Sequence, residues 1–212
     1  MDRNSNGYTF LFAGIMVTVV GALLAFTATS LKPAQDENVK KEKMQNILAS
    51  VGVEVDREVA QAKFEEVIKE KLSLSEDGSV KPSVNAFDVD LKEELAKPAN
   101  AQTYPLYVAE QEGKKFYIIP LRGAGLWDAI WGYIALESDV NTVEGTVFDH
   151  KGETPGLGAE ITQKWFQDRF IGKKVRNDSG KIVSLLLFIP NPYKFVSFPN
   201  SLGRVSILLS LI

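Results

Sequence analysis

The sequence predicts an α+β protein: one apolar N-terminal helix, then a domain whose strands are grouped and whose helices lie at the ends. Three observations carry that expectation. Residues 8–31 read YTFLFAGIMVTVVGALLAFTATSL without a charged side chain, and a helix needs about 20 apolar residues to cross a bilayer core. Between residues 36 and 72, apolar residues recur at helical spacing. From residue 103 to 150 the period shortens to strand-like runs divided by turn residues. Strands collected in one stretch indicate α+β order.

The first element is a transmembrane helix over 8–31, behind a short leader at 1–7. A cleaved signal peptide is the alternative, but its apolar region is typically about 7 to 15 residues behind a basic start. Here the run is longer and Arg3 stands beside Asp2. Lys32, Lys40, Lys41 and Lys43 follow the helix, a count that favours a cytoplasmic domain. Residues 32–100 read as a helical stalk with peripheral elements. One helix runs from Asp36 with Val39, Ile47 and Leu48 on one stripe and stops near Gly52. A second starts at an Asp56 N-cap, with Val59, Ala60, Phe64, Val67, Ile68 and Leu72 on one face. SEDGS at 75–79 is a turn.

The domain core falls at 101–184. TYPLYVAEQEGKKFYIIPLRG (103–123) reads as two strands around Glu112-Gly113, GLWDAIWGYIALESD (125–139) as a third and TVEGTVFDH (142–150) as a fourth. After the loop HKGETPGLGAEIT (150–162), Ile161, Trp165, Phe166 and Phe170 repeat at helical spacing up to Gly172, a C′ glycine. KIVSL (181–185) starts another strand.

Composition removes several function classes. A net charge of −3 and a pI near 5.4 provide no broad cationic surface, which argues against nucleic acid as a partner. The chain has no cysteine, so disulfides, thiolate metal sites, iron–sulfur clusters and cysteine nucleophiles are excluded. One histidine, His150, does not make a multi-histidine metal site, and no metal site is predicted. Redox work would fall to a bound organic cofactor.

The loop after the fourth strand is the least ordinary stretch. Pro155 fixes its φ and Gly156 permits a positive one, so Thr154–Leu157 suits a type II turn. Gly158 removes a second side chain. Main-chain N–H groups and a helix starting near Ala159 would then converge where a flat or anionic ligand can approach. Leu157 would cover a ring face, while Glu153 and Thr154 offer acceptors and a donor. A plain structural turn fits the same spacing. GAGLWD from Gly123 lacks the third glycine of a dinucleotide fingerprint and reads as a bend. His150 as a general base has no partner at a diagnostic spacing. Trp127 and Trp131, four apart in a strand-like segment, would share one side, as core or as a stacking wall.

PLRGAGLWDAIWGYIAL (120–136) and TVEGTVFDHKGETPGLGAEI (142–161), behind a single N-terminal helix, resemble the FMN-binding domain family. The resemblance is to the C subunits of sodium-translocating NADH:quinone oxidoreductases, with the G subunits of Rnf electron-transport complexes as the alternative. It implies a single-pass bacterial inner-membrane protein with a periplasmic domain, against the lysine count. It also implies a translocase subunit whose FMN takes electrons one at a time, among partner subunits and membrane lipid, with a flavin transferase joining FMN to a threonine hydroxyl. Leu126, Trp127, Glu153, Thr154, Gly156, Leu157 and Gly158 would line the isoalloxazine. The family's Ser-Gly-Ala-Thr segment has no counterpart: DSGK (178–181) offers only Ser-Gly, and no threonine follows Thr162. The covalent attachment threonine is absent, which implies impaired function, or a membrane-anchored binding module without flavin. The apolar 185–212 tail has no regular period and reads as missense sequence after a frame change near 183–185, which resequencing would test. An anchored hydrolase is the remaining class, without a nucleophile elbow to support it.

Overall fold

The computed structural model describes residues 5–178 and 180. The chain forms two compact units divided between Glu42 and Lys43. Helix α1, Asn6–Ala49, makes up the first unit from Asn6 to Glu42, and its last turns, from Lys43, belong to the second. From Thr9 to Leu31 every residue is exposed and none is charged, and the helix is long and apolar enough to span a membrane. Thr18, Thr27 and Thr29 each donate a hydroxyl to the carbonyl four residues earlier, at 2.8 Å, so an apolar solvent leaves those protons partnered. The helix expected over 8–31 and the one expected from Asp36 are continuous, and Pro33 lies inside α1. Lys32 pairs with Asp36 across the proline at 3.2 Å, and Lys41 pairs with Glu37 at 2.7 Å.

In the second unit, α2 is Ala60–Val67 and leads directly into β1, Ile68–Leu74. This corrects the longer helix expected from Asp56 to Leu72. Asp56 caps no helix; its carbonyl accepts the Val59 N–H in the preceding turn. β1 belongs to the sheet, so residues 32–100 are more than a stalk with peripheral elements. The remaining strands are β2 Tyr104–Gln111, β3 Lys114–Ala124, β4 Ala129–Leu136 and β5 Val143–His150. They form one antiparallel sheet in the order β1-β2-β3-β4-β5.

Both faces of the sheet are covered, which explains why FYII and YIAL read as continuous apolar runs rather than alternating ones. Ile118, Tyr133 and Ala135 face a core with Ile47 and Leu48 from the end of α1 and Phe64 from α2. Their neighbours Ile119, Ile134 and Leu136 face the other way, against Phe166 and Phe170. Alternation therefore feeds two cores. At the β2–β3 hairpin, Glu112 and Gly113 have φ of 50° and 77°, the left-handed pair that a two-residue turn needs.

The single helix expected after the loop is three short pieces: a 3-10 turn at Gly158–Thr162, α3 at Lys164–Gln167 and a 3-10 turn at Asp168–Phe170. Gln167 holds them to β5, its Nε2 lying within 3.2–3.3 Å of the carbonyls of Phe148, Ile161 and Thr162. Beyond Gly172 the chain pairs antiparallel with the start of β5, through Gly172 N to Val143 O at 2.8 Å and Val175 N to Asn141 O at 2.9 Å. The strand expected at 181–185 and the 185–212 tail lie outside the described residues.

Candidate functional site

Pairing of β4 with β5 sets Ile130 opposite His150 and Trp131 opposite Asp149. The loop before β4, residues 125–128, and the loop after β5, residues 151–157, therefore meet at one end of the sheet. Lys151 N extends the ladder to Ala129 O at 3.0 Å, and Lys151 Nζ reaches Asp128 at 3.0 Å. The Asp128 carboxyl is held below its ordinary range, first by the Ala129 N–H it accepts and then by Lys151.

Glu153 is the centre of this junction. It is only 7 % exposed, and its Oε1 accepts the Trp127 backbone N–H at 3.0 Å. Gly125 and Gly158 lie against its two carboxylate oxygens, where a Cβ on either would collide. The backbone N–H of Glu153 donates to His150 Nδ1 at 3.2 Å, which leaves the ring proton on Nε2. His150 is thus a hydrogen-bond acceptor within the loop. Above this, the Trp127 indole N–H donates to Thr154 Oγ1 at 3.1 Å.

The turn expected at Thr154–Leu157 is present: Leu157 N donates to Thr154 O at 3.1 Å, and Gly156 has φ of 76°. Several of the main-chain N–H groups expected to converge there on a flat or anionic ligand are turned inward. Ala159 N also turns back to Thr154 O, Glu160 N donates to Leu157 O, and Gly156 N donates to Glu160 Oε1. These donors are consumed within the loop, and the five-residue 3-10 turn at Gly158–Thr162 replaces the expected helix start. Trp127 also departs from expectation, since it lies in the loop ahead of β4 rather than sharing a strand face with Trp131. GAGLWD is the expected bend.

The two fixed loops present an apolar surface. Leu126, Trp127 and Leu157 are 81, 70 and 71 % exposed, well above what a folded core leaves to water. Gly156 has no atom near the Cβ position it lacks, so backbone is approachable there. Exposed apolar side chains over glycine-rich backbone fit a flat, largely apolar ring better than they fit a free anion. Sequence reasoning missed Asp128, Lys151 and Gln167, which fix the loops; the Asp128–Lys151 proximity follows only from the β4–β5 register.

A protein-family model described as an FMN-binding domain matches residues 125–185, starting at the first of these loops. The chain is 31% identical over 201 residues to the C subunit of the Na(+)-translocating NADH-quinone reductase of Yersinia pestis, covering 85% of this chain and 75% of that one. It is 29% identical to the corresponding C subunit of Pseudomonas aeruginosa, with 85% and 77% covered. Among solved structures, the C subunit from Parabacteroides distasonis superposes with a TM-score of 0.67 at 40% identity, covering 73% of this chain and 74% of that chain. The Shewanella oneidensis protein NqrC superposes with a TM-score of 0.60 at 27% identity, covering 70% and 76%.

Proposed function

Because the chain belongs to the family of C subunits of Na(+)-translocating NADH-quinone reductases, we propose that it is the FMN-carrying electron-transfer subunit of such a complex. The observation that carries this reading is the exposed face of Leu126, Trp127 and Leu157, held on two interlocked glycine loops within the FMN-binding match. When bound, FMN supplies the one-electron chemistry, which a cysteine-free chain otherwise lacks.

Each residue has a distinct task toward the ring. Leu126, Trp127 and Leu157 cover the isoalloxazine and exclude water, which lowers the local dielectric around the flavin. The Trp127 indole, steadied by Thr154 Oγ1, offers an aromatic face. Gly156 and Gly158 let backbone come close, and Glu153 lies beneath them. Residues 8–31 tether the domain to the membrane, beside the other subunits and on the periplasmic side, where flavin redox state is coupled to sodium export. Residues 163–212 hold no threonine, so in this reading FMN is held by the loop residues rather than by a phosphothreonyl bond in that stretch. Loss of tethering lowers its effective concentration and with it the chain's activity. A flavin-free module of the same complex is the second reading, and that missing threonine favours it.

The test titrates full-length chain in detergent with FMN. Expected is saturable quenching of flavin fluorescence, weakened about tenfold in Trp127→Ala and in Leu157→Ala, the scale of a lost stacking and burial contact. Coexpression with a flavin transferase should leave the denatured band dark. Wild-type protein that binds no FMN in either form would establish the flavin-free reading, and a fluorescent band would move the attachment to another hydroxyl.

A further inference from the structure

We infer that Glu153 is a positioning residue: its buried carboxylate clamps the 125–128 loop onto the 154–158 turn and so aims the Trp127 indole. The inference deepens the flavin reading and rests on it for its consequence in binding, but the clamp itself is a property of the chain alone.

A carboxylate that is 7 % exposed is costly unless its oxygens are partnered. Here the partner is backbone: Oε1 accepts from Trp127 N at 3.0 Å. Two glycines make room for it. A Cβ on Gly158 would lie 2.5 Å from Oε2 and 3.2 Å from the Glu153 Cδ. A Cβ on Gly125 would strike Oε1 and lie 2.7 Å from Asp128 O, the carbonyl that closes the loop by accepting Gly125 N at 2.7 Å. Gly125 and Gly158 belong to different loops, yet both are shaped around one side chain. That arrangement faces inward. Glu153 therefore acts on FMN through Trp127, whose backbone it holds and whose indole then meets Thr154 Oγ1 at 3.1 Å.

The experiment compares wild type, Glu153→Ala, Glu153→Gln and Gly158→Ala as full-length chains in detergent, by hydrogen exchange of residues 125–129 without FMN and by FMN titration. Glutamine keeps the carbonyl that accepts Trp127 N, so it should rescue both readouts. Glu153→Ala should exchange about tenfold faster at 125–129 and bind FMN about tenfold more weakly, the scale of a buried N–H left without its acceptor. Gly158→Ala should reproduce both changes by displacing the carboxylate, with Glu153 still present. Weaker FMN binding in Glu153→Ala with unchanged exchange would overturn the inference and make Glu153 a direct ligand. Unchanged exchange in both Glu153→Ala and Gly158→Ala would overturn it as well. If Trp127→Ala and Leu157→Ala leave FMN affinity unchanged, the flavin face is refuted, while exchange without FMN still decides the clamp.

Discussion

Replacing Gln167 with methionine keeps an unbranched side chain of similar length and deletes only its amide. In the wild-type chain Nε2 lies 3.2–3.3 Å from three carbonyls, of Phe148, Ile161 and Thr162, with two protons to give them. Two net bonds at about 1 kcal/mol each amount to about 2 kcal/mol, or roughly a thirtyfold change in a local opening equilibrium. The Thr146 hydroxyl still reaches the Gln167 carbonyl at 3.2 Å, since that acceptor is backbone, so the segment should loosen without detaching. Hydrogen exchange on the full chain in detergent should therefore accelerate about thirtyfold at residues 146–150 and 161–167, and stay as in wild type around Phe64 and Tyr107. The reasoning is refuted if exchange in those two stretches is unchanged. It is equally refuted if acceleration is uniform over the sheet, which would mean general destabilisation rather than a released strap.

Two further outcomes follow from the fold. Glu112→Asn should stabilise the domain by about 0.5 kcal/mol, because Glu112 sits at φ 50° and asparagine tolerates that conformation better; an unchanged or lower urea midpoint contradicts the turn assignment. Tyr107→Phe should cost about 1 kcal/mol at neutral pH by removing the bond to Ala86 O at 3.1 Å, yet flatten the alkaline limb of stability. Burial, then Tyr133 and Asp88, raise the Tyr107 phenol above its ordinary range. Above about pH 10 the unfolded chain ionises this group first, binds fewer protons than the folded one, and wild-type stability falls as pH rises. An identical decline in the variant would exclude Tyr107 as its source.

The strands were legible because residues 103–150 carry apolar runs cut by Glu112-Gly113 and by the polar 137–142 stretch. β1 was not. Phe64, Val67, Ile68 and Leu72 satisfy a helical period, and what ends α2 at Val67 is pairing with β2, Lys71 opposite Tyr107 and Leu72 opposite Leu106, a distant contact that overrides local preference. In the loop, Pro155 and Gly156 announced their turn. Gly125 did not announce its own, because the requirement that makes it glycine is the Glu153 carboxylate, which comes from the other loop. Trp127 and Trp131 misled for a related reason. Counting by twos assumes an unbroken strand, and β4 begins only at Ala129.

The pairing beyond Gly172 fixes where the chain stands relative to the face proposed for FMN. Residues 172–176 run antiparallel beside residues 141–143, at the far end of β5 from Glu153, and are travelling away from it. To return, a strand must cover the eight residues of β5, about 25 Å at roughly 3.3 Å per residue. That distance, about eight fully extended residues, separates the last residues the structure pairs with β5 from the face proposed for FMN. The length of one strand, rather than the chemistry of the loop, sets the distance between the 172–176 pairing and the face proposed for FMN.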